Sequence, residues 1–218
     1  MSDVGAVERT VGVGPHPEPW PEDPRLDPEL LAHGDRRNVE DRFRYWKRAE
    51  IVAALDEKRF DLHIAIENLE HDANIGSIVR SANAFGVGAF HIVGRRRWNR
   101  RGAMVTDRYQ HEIHHPGVAS LADWARAEGR PLIAIDNAPG AEPLEGAALP
   151  ANSVLVFGQE GPGISEVLQE ACERMLAITQ YGSTRSLNVA AAAAIAMHTW
   201  LLQHADPGRT SPFENGRA

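Results

Sequence analysis

Cysteine is nearly missing from this chain of 218 residues: Cys172 is the single one. No intrachain disulfide can form, which excludes a disulfide-stapled secreted scaffold. Long apolar runs are missing too, and none approaches the ~20 residues that span a bilayer. The N-terminus lacks the basic-then-apolar pattern of a signal peptide. Together these absences lead us to expect a cytoplasmic protein without a membrane partner. Positive charge is in the minority: 23 Lys and Arg stand against 30 Asp and Glu, a net charge of −7. That balance argues against a uniformly basic nucleic-acid binder. What remains is a globular composition, 43% hydrophobic and 24% charged, of a length that suits one domain of ordinary size with some tail.

The charge deficit is uneven. Residues 1–40 carry nine acidic and four basic side chains, so they hold −5 of the total. The rest is close to neutral and contains Arg95-Arg96-Arg97-Trp98-Asn99-Arg100-Arg101, five arginines in seven positions. A local field of this kind matters more for contact with a polyanion than net charge does. The five arginines are therefore candidate RNA-binding residues, with Trp98 and Asn99 able to add stacking and hydrogen bonding. The plainer alternative is a solvated basic loop.

Organisation follows the punctuation. Residues 1–35 hold Pro15, Pro17, Pro19, Pro21, Pro24 and Pro28 and read as a flexible or extended acidic arm, although Trp20 and Leu30-Leu31 offer side chains to dock it. A helical extension fills residues 36–60, with Phe43, Trp46, Ile51, Ala54 and Leu55 roughly on one face. From 61 to 204 short apolar strands alternate with helices. Strands are expected over 62–66, 89–93, 131–135, 154–157 and 174–178, and helices over 75–85, 118–128, 166–172 and 187–202. Asn74 or Asp72 is the expected cap of the helix over 75–85. This alternation predicts an α/β fold, a parallel sheet flanked by helices. Residues 205–218 read as a polar tail.

Three segments within that domain carry chemistry. Asn74-Ile75-Gly76-Ser77-Ile78-Val79-Arg80 follows an apolar strand. Phe157-Gly158-Gln159-Glu160-Gly161-Pro162-Gly163 follows another. Ser186-Leu187-Asn188-Val189 opens an alanine-rich helix whose free N–H groups and dipole suit a polar or anionic ligand. The bland alternative for the last is a Ser186 N-cap on an ordinary helix. The alanines at 190–194 suit close approach to a ligand or to a partner helix, or simply good helix formation.

In this order and spacing the three segments resemble the SpoU/TrmH family of RNA 2′-O-ribose methyltransferases, from about Leu62 to Trp200. Asn74, Gly76 and Arg80 match the first motif, Gly158, Glu160 and Gly163 the second, and Ser186 to Val189 the third. The chain departs from the pattern at Ile178-Thr179-Gln180, where many members read Ile-Pro-Met. The resemblance implies a C-terminal trefoil knot, a homodimer, and S-adenosylmethionine as cofactor. It implies catalytic roles for Arg80, Asn74, Glu160, Ser186 and Asn188. Ile135, Gly158, Ile178 and Leu187 match positions that line the family's cofactor pocket. RNA is the implied partner. The stretch Ile178–Gly182 followed by Arg185–Val189 looks most like the branch that methylates a D-loop guanosine of tRNA. An rRNA substrate, or a knotted RNA-binding protein with little catalysis, are the alternatives. A guanidinium stays protonated, so Arg80 is read as polarising the ribose hydroxyl or gripping a phosphate rather than as a base.

One other motif points elsewhere. His111-Glu112-Ile113-His114-His115 formally matches the His-Glu-x-x-His zinc-protease helix. Pro116 biases the preceding residue away from helical geometry, and no long helix is expected there, so no metal is expected. If the basic run contacts RNA, neutralising Arg95, Arg96 and Arg97 together should raise the KM for RNA about tenfold through lost phosphate contacts and leave kcat less affected. Steady-state methylation kinetics at fixed salt check this.

Overall fold

The computed structural model describes residues 12–67, 71–94, 98–103, 106–159 and 161–206. The chain divides into two compact units, with the boundary between Lys58 and Arg59.

In the first unit, α1 (Pro28–His33) begins with Pro at its first position and Asp27 as N-cap, whose side chain accepts from Glu29 N. Both choices suit a helix start, since proline has no N–H to leave unpaired there. Asp35 is fully buried. Burial alone would raise its carboxyl, but Arg37 and the N–H groups of Arg37 and Tyr45 outweigh it and hold the carboxyl below the usual range. Arg37 reaches it at 2.6 and 2.9 Å, and Tyr45 N donates to it at 2.9 Å. Val13 bridges to Asp35 and the Tyr45 hydroxyl donates to Gly14 O at 2.6 Å. From residue 12 onward the proline-rich stretch is thus hydrogen-bonded into a small fold where an extended arm was expected. The helical extension expected over residues 36–60 is divided. A 3-10 turn spans Asp41–Phe43 and α2 spans Arg48–Asp56. Tyr45 lies between them at φ 62°, which no right-handed helix admits,.

The second unit is a seven-stranded, wholly parallel sheet. Its strands are β1 (Phe60–Glu67), β2 (Val87–Val93), β3 (His111–His115), β4 (Leu132–Ile135), β5 (Glu142–Pro143), β6 (Val154–Phe157) and β7 (Arg174–Ala177). Their order across the sheet is β3-β2-β1-β6-β4-β7-β5. The helices are α3 (Asp72–Ala84), α4 (Val118–Ala127), α5 (Glu166–Ala171) and α6 (Val189–His204). Successive strand side chains point to opposite faces, and each face has its own core. Leu62, Ile64, Ile66, Phe90 and Ile92 pack with Ile75, Ile78 and Val79 of α3 and Ala193, Met197 and Trp200 of α6. Ala65, Val93, Val154 and Val156 pack with Leu121 and Ala125 of α4 and Leu168 of α5. Buried Glu67 accepts from Ser165 N and Oγ at 3.0 and 2.6 Å, tying the end of β1 to the start of α5.

Two strands escaped the sequence patterns. β5 is two residues long. β3 is the histidine-rich segment, whose polar sequence hides an edge strand. As a strand it spreads His111 and His115 about 13 Å apart, so the apparent zinc motif cannot close on one ion. His115 instead ends a hydrogen-bonded row across three strands. His63 Nδ1 meets His91 Nε2 at 3.0 Å, His91 Nδ1 meets His115 Nε2 at 2.8 Å, and Ser120 Oγ lies 3.3 Å from His115 Nδ1. Trp124 packs over all three rings. Burial, and then its two imidazole neighbours, push His91 down to about 2, and burial pushes His63 down to about 4.

The row is therefore neutral in the folded protein, while the same imidazoles in the unfolded chain take up protons near pH 6.5. Their contribution to stability is complete above pH 6.5 and falls as pH drops below it. Each imidazole adds up to about 1.4 kcal/mol per pH unit to that slope. Thermal unfolding between pH 7 and pH 5 should steepen accordingly, and His91→Asn should flatten the dependence by about one proton.

Candidate functional site

The carboxyl ends of β4, β6 and β7 lie side by side, and the loops leaving them surround a cavity of about 430 Å³. In parallel α/β sheets this is where ligands bind. Three loops and two helix starts build the walls. Ile135 to Ala138 leave β4, Phe157 to Ile164 leave β6, and Ile178 to Leu187 leave β7. Asn74, in the first turn of α3, and Asn188, at the head of α6, complete them.

The turn after β6 depends on two glycines. A Cβ on Gly158 would lie 2.2 Å from the carbonyl carbon of Gly163, so only hydrogen fits between the two backbones. Gln159 and Gly163 exchange backbone hydrogen bonds at 2.9 and 3.0 Å. Gly163 has φ 78°, the left-handed region that glycine enters without strain,. A Cβ there would meet Asp136 Oδ2 at 2.4 Å. Asp136 uses that oxygen to accept from Ile164 N at 2.8 Å, which locks the β6 turn to the β4 loop. Asn137 Nδ2 donates to Arg185 O and ties the β4 loop to the β7 loop.

Asn188, not Ser186, caps α6. Its Oδ1 accepts from Ala190 N at 2.9 Å and Ala191 N at 3.3 Å, and its Nδ2 donates to Asn74 Oδ1 at 3.0 Å. Both amide ends are thus engaged, one in the helix and one across the site. Asn74 is not the cap of α3: the N-cap is His71, and Asp72 and Asn74 both lie in the first turn. The alanine run is shared. Ala192 faces the cavity, while Ala193 and Ala196 are fully buried in the core.

The residues expected around a cofactor, Ile135, Gly158, Ile178 and Leu187, all line this one cavity, and so do Asn74, Ser186 and Asn188. Arg80 does not line it. It lies six residues beyond Asn74 on α3, about 9 Å along the axis, exposed and with no ion-pair partner among the described residues. Glu160, Arg95, Arg96 and Arg97 fall outside the described residues, as does the side chain of Arg101. Arg100 is engaged within the protein, 3.2 Å from Asp107 and 2.8 Å from Glu112. Trp98, offered by the sequence as an RNA-stacking ring, is only 9% exposed and packs edge-on against Phe90. It is a core residue. Asp136, Asn137 and Gln180 went unnoticed as site residues. They belong to no glycine-rich or capping pattern, although the first two directly follow a parallel strand, which is the signal that could have found them.

Fold and site define a ligand-binding parallel α/β domain whose pocket is assembled from three loops. Residues 61–198 match the model of the SpoU rRNA Methylase family, and the chain belongs to that family. An uncharacterized tRNA/rRNA methyltransferase of Mycobacterium ulcerans is 30% identical over 161 residues, 67% of this chain and 48% of that protein. A tRNA (guanosine(18)-2′-O)-methyltransferase of Saccharomyces cerevisiae is 27% identical over 169 residues, 71% of this chain and 12% of that protein. The chain thus spans about half the length, or less, of these curated relatives. The SpoU methyltransferase AviRb of Streptomyces viridochromogenes is 25% identical and superposes with a TM-score of 0.60, over 66% of this chain and 60% of AviRb. A second AviRb structure, in complex with AdoMet, is 24% identical with a TM-score of 0.62, over 66% and 58%.

The double use of Asn188 separates two effects. Asn188→Ala should destabilise the protein by about 1 kcal/mol through loss of the cap. Asn188→Asp keeps an acceptor for the helix N–H groups, so it should retain most of that stability while losing the donor to Asn74. Thermal unfolding of the two variants against wild type checks this.

Proposed function

We propose that this chain is an S-adenosylmethionine-dependent RNA 2′-O-ribose methyltransferase acting on tRNA, at a D-loop guanosine. The observation that carries the reading is convergence: the segments beginning at Asn74, Gly158 and Ser186, far apart in sequence, meet at one cavity on the carboxyl side of a parallel sheet. Membership of the SpoU family supports methyl transfer. The yeast relative's substrate supports the tRNA branch.

The cavity fits the cofactor. Its volume lies within the range of nucleotide-sized sites. It pairs apolar walls from Ile135, Ile178 and Leu187 with polar groups on Asn74, Asn137 and Asn188. Bound there, S-adenosylmethionine would supply an activated methyl group. Gly158 and its turn would present bare backbone to a bound ligand, and residues of the loops after β4 and β7 would line the rest of its site. Arg80, permanently cationic, would offer N–H donors to a ribose 2′-oxygen, favouring negative charge on it, or to the adjacent phosphate. Asn74 fixes the start of the same helix through its bond to Asn188. A C-terminal trefoil knot and a homodimer belong to the same reading.

Purified protein incubated with labelled S-adenosylmethionine and total tRNA or rRNA, followed by digestion and mapping, tests the proposal. Label in one tRNA guanosine ribose is expected. Label confined to rRNA would overturn the substrate, and absence of label in both would overturn the activity. Arg80→Ala should lower kcat about 100-fold or more, with Arg80→Lys intermediate. Near-wild-type turnover by Arg80→Ala would remove Arg80 from the chemistry.

A further inference from the structure

The segment after β7 supplies Ile178, Gln180, Ser186 and Leu187 to the cavity, yet it has no regular secondary structure and residues 181–188 are all exposed. Such a wall needs external anchors. At its root the carboxylate of Glu145, two residues past the end of β5, takes two hydrogen bonds from one residue. Thr179 N donates to Oε1 at 3.0 Å and Thr179 Oγ1 donates to Oε2 at 2.8 Å. Two bonds to one carboxylate fix both the backbone and the χ1 rotamer of Thr179, and so fix where the next residue points.

That next residue is Gln180. Its Oε1 is buried at the cavity wall and has no hydrogen-bond partner among the described residues. A buried carbonyl oxygen without a donor destabilises the protein that carries it. Such a group persists where its partner arrives with a ligand. We propose that Gln180 is a ligand-contacting residue, its side-chain oxygen accepting from an N–H or O–H donor of the bound cofactor, and that Glu145 is a positioning residue acting through Thr179. The inference rests on the methyltransferase reading for the ligand's identity. S-adenosylmethionine carries suitable donors in its adenine amino group, ribose hydroxyls and α-ammonium.

This arrangement has a signature that a structural role would not share. Gln180→Met keeps the length of the side chain and removes the unpaired oxygen. Without ligand its Tm should equal or exceed that of wild type. Its affinity for S-adenosylhomocysteine, measured by calorimetry on the full chain, should fall about tenfold because the ligand's donor is left without an acceptor. Glu145→Ala should weaken binding several-fold in the wild-type background with little change in Tm, since both members of the clamp are exposed. In the Gln180→Met background it should add little, because its effect passes through Gln180. Wild-type affinity in Gln180→Met overturns the proposal, as does weaker binding accompanied by a matching drop in ligand-free Tm. Full additivity of the two variants overturns the positioning role of Glu145. A wild-type protein that binds neither S-adenosylhomocysteine nor S-adenosylmethionine overturns the methyltransferase reading itself, a result distinct from the others.

Discussion

The near-contact of Gly158 with Gly163 is the constraint on which the site depends. Two backbones that meet with only a hydrogen between them leave no room for a side chain at Gly158. The turn they close gives Asp136 a fixed N–H to hold at Ile164. Through Asp136 the turn is joined to the loop after β4, and through Asn137 that loop is joined to the segment before α6. The cavity is thus one hydrogen-bonded circuit.

The sheet makes that circuit possible. Because β4 sits between β6 and β7, three chain segments leave the sheet in the same direction within adjacent strand spacings. The helices on one face then bring two N-termini to the same edge. Asn74 and Asn188, 114 residues apart in sequence, share a hydrogen bond there. The cores beneath each face give this edge a stable base. On the opposite side of β1 and β2, the row of neutral imidazoles under Trp124 fills a stretch of interior with polar groups that satisfy one another. Both ring nitrogens of fully buried His91 find partners in the row, which is what makes a polar group tolerable there,.

Two kinds of residue line this pocket. Glycines and apolar side chains set its shape, and a few amides and a carboxylate set its hydrogen-bonding face. The segment from Ile178 to Gln180 differs from the common pattern of the resembling family. Here Thr179 contributes an N–H and a hydroxyl to Glu145, and a proline could supply neither,. The local chemistry of this chain thus includes a side-chain clamp at Thr179.

The sequence by itself determined the α/β class, the existence of every long helix and apolar strand of the second unit, and the three segments that form the site. Hydrophobic periodicity is a local signal that sufficed for the class and its elements, whereas the three segments stood out through their resemblance to the SpoU/TrmH motifs. Only the tertiary structure decided the rest. β3 is an edge strand whose polar residues pair through the backbone, so its pattern carried no apolar alternation. Tyr45 at positive φ divides a helix that periodicity made continuous, because a buried Asp35 holds its N–H. Trp98 belongs to the core rather than to a basic surface. Asn188 displaced Ser186 as the cap because its amide alone reaches both the helix N–H groups and Asn74. The burial of Gln180 Oε1 without a hydrogen-bond partner among the described residues is a property of its surroundings that no run of neighbouring residues encodes.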